Sequence, residues 1–183
     1  MAANSHHLNE KGKFKCRVLA DRWKDLDFEK GVLHVRQTLS HDGKQIYQDT
    51  KTKSSTRTIS LAEEVLQQLN AHQVKIEEEK LAAGDDYADF DLVICTKLGK
   101  PINPRNLLRE FYLLMEEASV KKIRFHDLRH TAASLLLSSN TNPKIVKEIL
   151  GHSDVRVTLD VYSHVLPSVH KETAKQYGDM LFA

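Results

Sequence analysis

Turn-forming residues are scarce in this chain of 183 residues, with seven glycines and four prolines, and there are only two cysteines and one tryptophan. With 40% apolar and 28% charged residues, the composition excludes a low-complexity or disordered chain. Cys16 and Cys95 lie far apart with no CxxC spacing, which argues against a zinc site and against a disulfide framework. No apolar run approaches the length of a bilayer span, so no membrane partner is expected. The first twelve residues lack the apolar stretch of a secretory signal and read as a loose, disordered or vector-derived end, and the protein is expected in the cytosol. The ten histidines are scattered, without carboxylates at ligand spacing, so neither a metal nor another cofactor is expected. The length suits a single domain, taken as residues 13–183.

A formal net charge of +2 does not by itself establish a nucleic-acid partner. The distribution says more. Basic residues, among them Lys97, Arg105, Arg124 and Arg129, recur at turns and helix starts, whereas acids gather at Glu63-Glu64, Glu77 to Glu79 and Asp85-Asp86. Either one basic face or a solvated surface of mixed sign fits that pattern.

Residues 31–39 alternate apolar and polar after Gly31, the period of a half-buried strand. Residues 45–50 and 56–60 alternate again, on either side of a polar tip at 51–55, so a three-stranded antiparallel sheet is expected. Ser60 is expected to cap a helix reaching about Lys80, with Leu61, Val65, Leu66, Leu69, Val74 and Ile76 as its apolar stripe. Asp91 to Cys95 reads as a short strand or extended segment. Beyond it the pattern is helical. Pro104 opens a helix that buries Leu107, Leu108, Phe111, Leu114 and Met115; further helices are expected at 126–139, at 142–150 with Gly151 as C-cap, at 158–164, and from Pro167 to about Met180. The fold class is therefore α+β and mostly helical, with a small sheet near the N-terminal side.

In His126-Asp-Leu-Arg129-His130-Thr131 the spacing puts His126 and Arg129 on one helix face, at a helix start that favours an anion. Alone, HxxR is a weak motif. Leu150-Gly-His152 follows at a helix end, and ten residues later Tyr162 lies in Thr158-Leu-Asp-Val-Tyr-Ser-His-Val165. Together, in this order and spacing, the three motifs resemble the C-terminal box of the tyrosine recombinases, the phage and transposon integrases. The likeness reaches back through Lys51-Thr-Lys-Ser-Ser-Thr-Arg-Thr-Ile59, which resembles the family's β-hairpin lysine region, to Arg22-Trp-Lys-Asp-Leu-Asp-Phe28, and so covers roughly residues 15–170.

The resemblance implies a fold, a reaction and a partner, double-stranded DNA. Tyr162 would attack a phosphodiester, forming a 3′-phosphotyrosyl link and releasing a 5′-hydroxyl, so that bond energy is stored covalently. Arg129 would stabilise charge on the non-bridging oxygens. His126 would position or deprotonate the nucleophile, His152 would donate a hydrogen bond to the phosphate, and Lys51 would protonate the leaving oxygen, with Lys53 as its competitor. Lys53, Arg57, Lys97, Arg105 and Arg124 are the candidate DNA contacts, and the family's tetramers make a homo-oligomer on DNA an expectation. A single helix packed within its own chain accounts for the terminal segment equally well.

The pattern fails at one place. The family has an arginine nine residues before the tryptophan that corresponds to Trp23, and an acid three further on; here these positions are Phe14 and Arg17. Loss of one oxyanion-type donor costs roughly a hundred- to thousandfold in rate. Lys13, Lys15 or Arg17 could substitute after a register shift, though lysine lacks the guanidinium fork. Weakened or lost activity is the expectation, and no N-terminal DNA-binding domain of the kind full-length members carry fits in this chain. The alternatives are an inactive DNA-binding or assembly remnant and, further off, a type IB topoisomerase-like enzyme.

Overall fold

The structure, a computed structural model, describes residues 10–48, 57–152, 154–162, 174–175 and 177–182. The chain forms two compact units, residues 1–125 and 126–183. Among the described residues, all the strands lie in the first, and the second is helical.

In the first unit, α1 (Glu10–Val18) begins within the stretch expected to be a loose end. Cys16, Leu19 and Ala20 at its C-terminal side pack with Leu39 into a buried cluster, which Ile46, Ile94, Ile102 and Leu107 extend. Strands β1 (Leu26–Asp27), β2 (Val32–Val35) and β5 (Arg57–Ser60) form a three-stranded antiparallel sheet, with Leu26 opposite Leu33 and Val32 opposite Ser60. Strands β3 (Gln37–Leu39) and β4 (Ile46–Gln48) pair separately. The expected strand over 31–39 is thus two strands in two sheets. Exposed Arg36 divides them, its Nη1 3.4 Å from the buried Asp25 carboxylate, which also takes Arg22 Nε at 2.6 Å. Next to it, buried Gln37 donates from Nε2 to the Ala20 carbonyl at 2.6 Å and so ties β3 to the end of α1. The antiparallel sheet is real, but its third strand is β1 rather than the 45–50 segment.

Ser60 does not cap the following helix: its backbone is committed to the β2 ladder, and Ala62 takes the cap position of α2 (Glu63–Ala83). Of the expected stripe, Leu66 and Ile76 are buried while Val65 and Val74 face solvent. Residues 91–95 are neither a strand nor evenly extended: Asp91 is left-handed at φ 58°, Val93 and Ile94 form a bend, and only single bridges, Arg22 with Leu92 and Cys95 with Pro101, tie the segment down. Helix α3 (Pro104–Glu117) starts as its sequence demands, with proline in the first turn and Asn103 Oδ1 accepting from Arg105 N at 2.9 Å. Met115 is buried on it, but Leu114, expected in the core, is exposed.

In the second unit, α4 (Asp127–Ser138), α5 (Pro143–Leu150) and α6 (Val155–Tyr162) bury one another. The i, i+4 pairs Ala133/Leu137 and Val146/Leu150 meet the ring of Tyr162 in one cluster, with Leu136 against it. Asn142 caps α5 through Lys144 N at 2.9 Å, and Gly151 ends it at φ 70°, a left-handed conformation that suits glycine. Helix α6 starts three residues before the expected Thr158. Residues 163 and 164 lie outside the described residues; so does most of the segment from Pro167, of which 174–175 and 177–182 are helical.

Candidate active site

His126 occupies the N-cap position of α4, and its carbonyl accepts from Arg129 N at 3.1 Å and His130 N at 3.4 Å. The turn thereby presents His126, Arg129 and His130 from the first turn of one rigid helix, where the exposed amide ends favour an anion. The His126 and His130 rings stand edge to face, 4.8 Å between centroids.

Tyr162, in the last turn of α6, is only 2% exposed. Its hydroxyl lies 2.7 Å from His130 Nδ1, with the two rings 5.8 Å apart. Burial pushes the phenol above its ordinary pKa of 10, and the nearby Arg129 charge pulls it back down. The phenol therefore keeps its proton at neutral pH, beside a guanidinium able to hold an anion and an imidazole able to exchange that proton.

His152 reaches the same helix. Its backbone N donates to the Lys147 carbonyl at 3.0 Å after the turn at Gly151, and its Nδ1 is 2.9 Å from the hydroxyl of fully buried Thr158. Thr158 and Tyr162 are four residues apart, hence stacked on one face of α6. Three helix ends thus deliver His126, Arg129, His130, His152 and Tyr162 from the second unit alone. The described residues thus place a guanidinium and three imidazoles, groups able to bind an anion, on the helices that pack around the buried phenol.

The other expected residues belong to the first unit. Lys51 and Lys53 lie outside the described residues. Lys97, Arg105 and Arg124 are exposed, as a phosphate contact requires. Arg57, at the start of β5, is partly buried, and its charge acts on the carboxyl of Asp21. Phe14 packs on Phe125 at 5.7 Å, and Phe125 meets Phe111 edge-on at 5.3 Å, so an apolar cluster occupies the position where the resemblance calls for an arginine.

Sequence reasoning assigned the partner of the phenol to His126 and passed over His130. The available signal was its place: directly after Arg129 and one helical turn beyond His126, on the inward face shared by Ala133 and Leu137.

The family described as "Phage integrase family" matches residues 18–168. The tyrosine recombinase XerC-like protein of Caldanaerobacter subterraneus is 32% identical over 176 residues, 89% of this chain and 45% of that protein. The ICEBs1 integrase of Bacillus subtilis is 30% identical over 165 residues, 90% of this chain and again 45% of the relative, so the chain spans about half the length of these relatives. Among solved structures, the Tn1549 transposon integrase in complex with a circular intermediate DNA superposes with a TM-score of 0.68 at 25% identity, over 88% of this chain and 54% of that one. The XerA recombinase, at 21% identity and a TM-score of 0.65 over 89% of this chain and 52% of that one, shares the fold.

Proposed function

Because this chain belongs to the phage integrase family, the tyrosine recombinases, we propose that it carries the strand-cleaving site of a DNA recombinase and cuts double-stranded DNA through a 3′-phosphotyrosyl intermediate on Tyr162. The observation that supports this most is that α4, α5 and α6 of one compact unit bury one another around Tyr162, with His126, Arg129 and His152 at their ends and the Arg129 charge acting on the phenol.

In this reading the scissile phosphate sits at the start of α4. Arg129 pairs with its non-bridging oxygens, where a planar fork of donors matches the geometry and strengthens as charge develops. His152, held through Thr158 to the helix that carries the nucleophile, donates to the same phosphate. Tyr162 attacks phosphorus, and the 5′-oxygen leaves with a proton from Lys51. Lys53, Arg57, Lys97, Arg105 and Arg124 follow the DNA backbone, which gives affinity with little sequence choice. Recombination between two sites requires several copies on DNA, and we propose a tetramer.

Phe14 favours a second reading for this chain as it stands: a domain that binds DNA but cleaves it poorly, since the expected first arginine is replaced by an aromatic packed on Phe125. A nicked suicide duplex tests both readings. A covalent protein–DNA band on a denaturing gel, absent from Tyr162→Phe, is the expected result. A band that survives Tyr162→Phe contradicts the assignment, and a band seen only in Phe14→Arg supports the second reading.

A further inference from the structure

We infer that His130 positions the Tyr162 hydroxyl and accepts its proton as the phenol attacks phosphorus. This deepens the reading just given and rests on Tyr162 being the nucleophile. The 2.7 Å separation of His130 Nδ1 from the phenolic oxygen is within reach for direct proton transfer. Both partners are fixed from below. His130 stands in the first turn of α4, and Tyr162 is anchored by its ring among Ala133, Leu137, Val146 and Leu150. His126, at the N-cap, meets the edge or face of the His130 ring, 4.8 Å away, and so braces the imidazole.

The step balances with no further reactant. The phenolic oxygen forms a bond to the phosphorus of a DNA phosphodiester, and the bond from phosphorus to the 5′-oxygen breaks. The phenol proton passes to Nδ1 of neutral His130, whose Nε2 carries the ring hydrogen, and the leaving 5′-oxygen takes a proton from an ammonium side chain or from water. Arg129, whose charge reaches the same phenol, favours the developing anion on the attacking oxygen and on the phosphate.

The test has a structural arm and a kinetic arm, both on the full chain, with Phe14→Arg as the parent if the unaltered chain forms no adduct. In ¹⁵N-imidazole spectra, Tyr162→Phe is expected to move the His130 Nδ1 resonance; an unmoved resonance overturns the contact. In single-turnover cleavage, His130→Phe and His130→Gln are compared on a nicked duplex with an ordinary phosphate and on one with a 5′-bridging phosphorothiolate, whose thiolate leaves without a proton. His130→Phe is expected to cut at least about a hundredfold more slowly on both substrates with DNA affinity unchanged. His130→Gln, which keeps a hydrogen-bonding amide, should recover part of that rate, and it carries the test if His130→Phe does not fold. Parental rates in both variants, or a defect that the sulfur leaving group repairs, overturn the inference alone. Absence of any adduct from the unaltered chain and from Phe14→Arg, on both substrates, overturns the reading of Tyr162 and the inference with it.

Discussion

At Tyr162 the ring and the hydroxyl serve different ends. The ring belongs to the core of the second unit, where its burial contributes roughly 2 kcal/mol, and the hydroxyl meets His130. The cost of that placement is a phenol harder to ionise, so attack by this oxygen, as proposed, calls for a proton acceptor and the Arg129 charge beside it. Asp21 is the corresponding case in the first unit. Burial pushes its carboxyl up to about 7, Arg57 pulls it down and Asp25 adds to the rise. The unfolded chain releases this proton near the ordinary 3.8, whereas the folded chain holds it to about 7. Its contribution to stability is therefore complete below about pH 4 and is lost as pH rises through about 7. Asp21→Asn, neutral throughout, should gain on the parent by roughly 2.5 kcal/mol between pH 5 and pH 8. Urea unfolding at the two pH values measures it, and a difference that does not change with pH contradicts the assignment. Four residues of the candidate site, His126, Arg129, His152 and Tyr162, stood out in the sequence because ordered motifs carry them. His130 was not, since adjacency to Arg129 does not say which way a side chain leaves the helix.

At the scale of elements, caps carry the geometry. Helix α5 is eight residues long, too short to persist without help, and it is delimited by Asn142 at one end and left-handed Gly151 at the other. Its C-terminal end sets where His152 emerges. Asn142→Ala should cost about 1 kcal/mol in denaturant unfolding, leaving the amide of Lys144 without its side-chain acceptor. A change within error would show that packing of Val146 and Leu150 alone defines the helix. Proline, asparagine and glycine mark ends in any context, so α3 and α5 were legible before folding was considered. The sheet was not. Period-two alternation reports which side a residue faces but not its pairing partner, and the division at Arg36 depends on Asp25, eleven residues earlier in the chain. Leu114 went astray in the same way: helical periodicity marks a stripe, while neighbouring elements decide how much of it is covered.

At the scale of the molecule, the described site residues divide by role. The second unit holds the candidate nucleophile and its anion-binding partners, and the first holds the exposed basic residues Lys97, Arg105 and Arg124. Phe14 also belongs to the first unit, so the departure from the family's pattern leaves the four motif residues of the second in place. The central claim is that those residues form a cleavage site with Tyr162 as its nucleophile. The measurement that tests it most directly is to trap Phe14→Arg and the unaltered chain on a nicked duplex, digest protein and DNA, and locate the residual nucleotide by mass spectrometry. The account predicts the nucleotide on the peptide containing Tyr162, accumulating roughly a hundredfold or more faster in Phe14→Arg; a nucleotide on any other residue, or none from either protein, would contradict it.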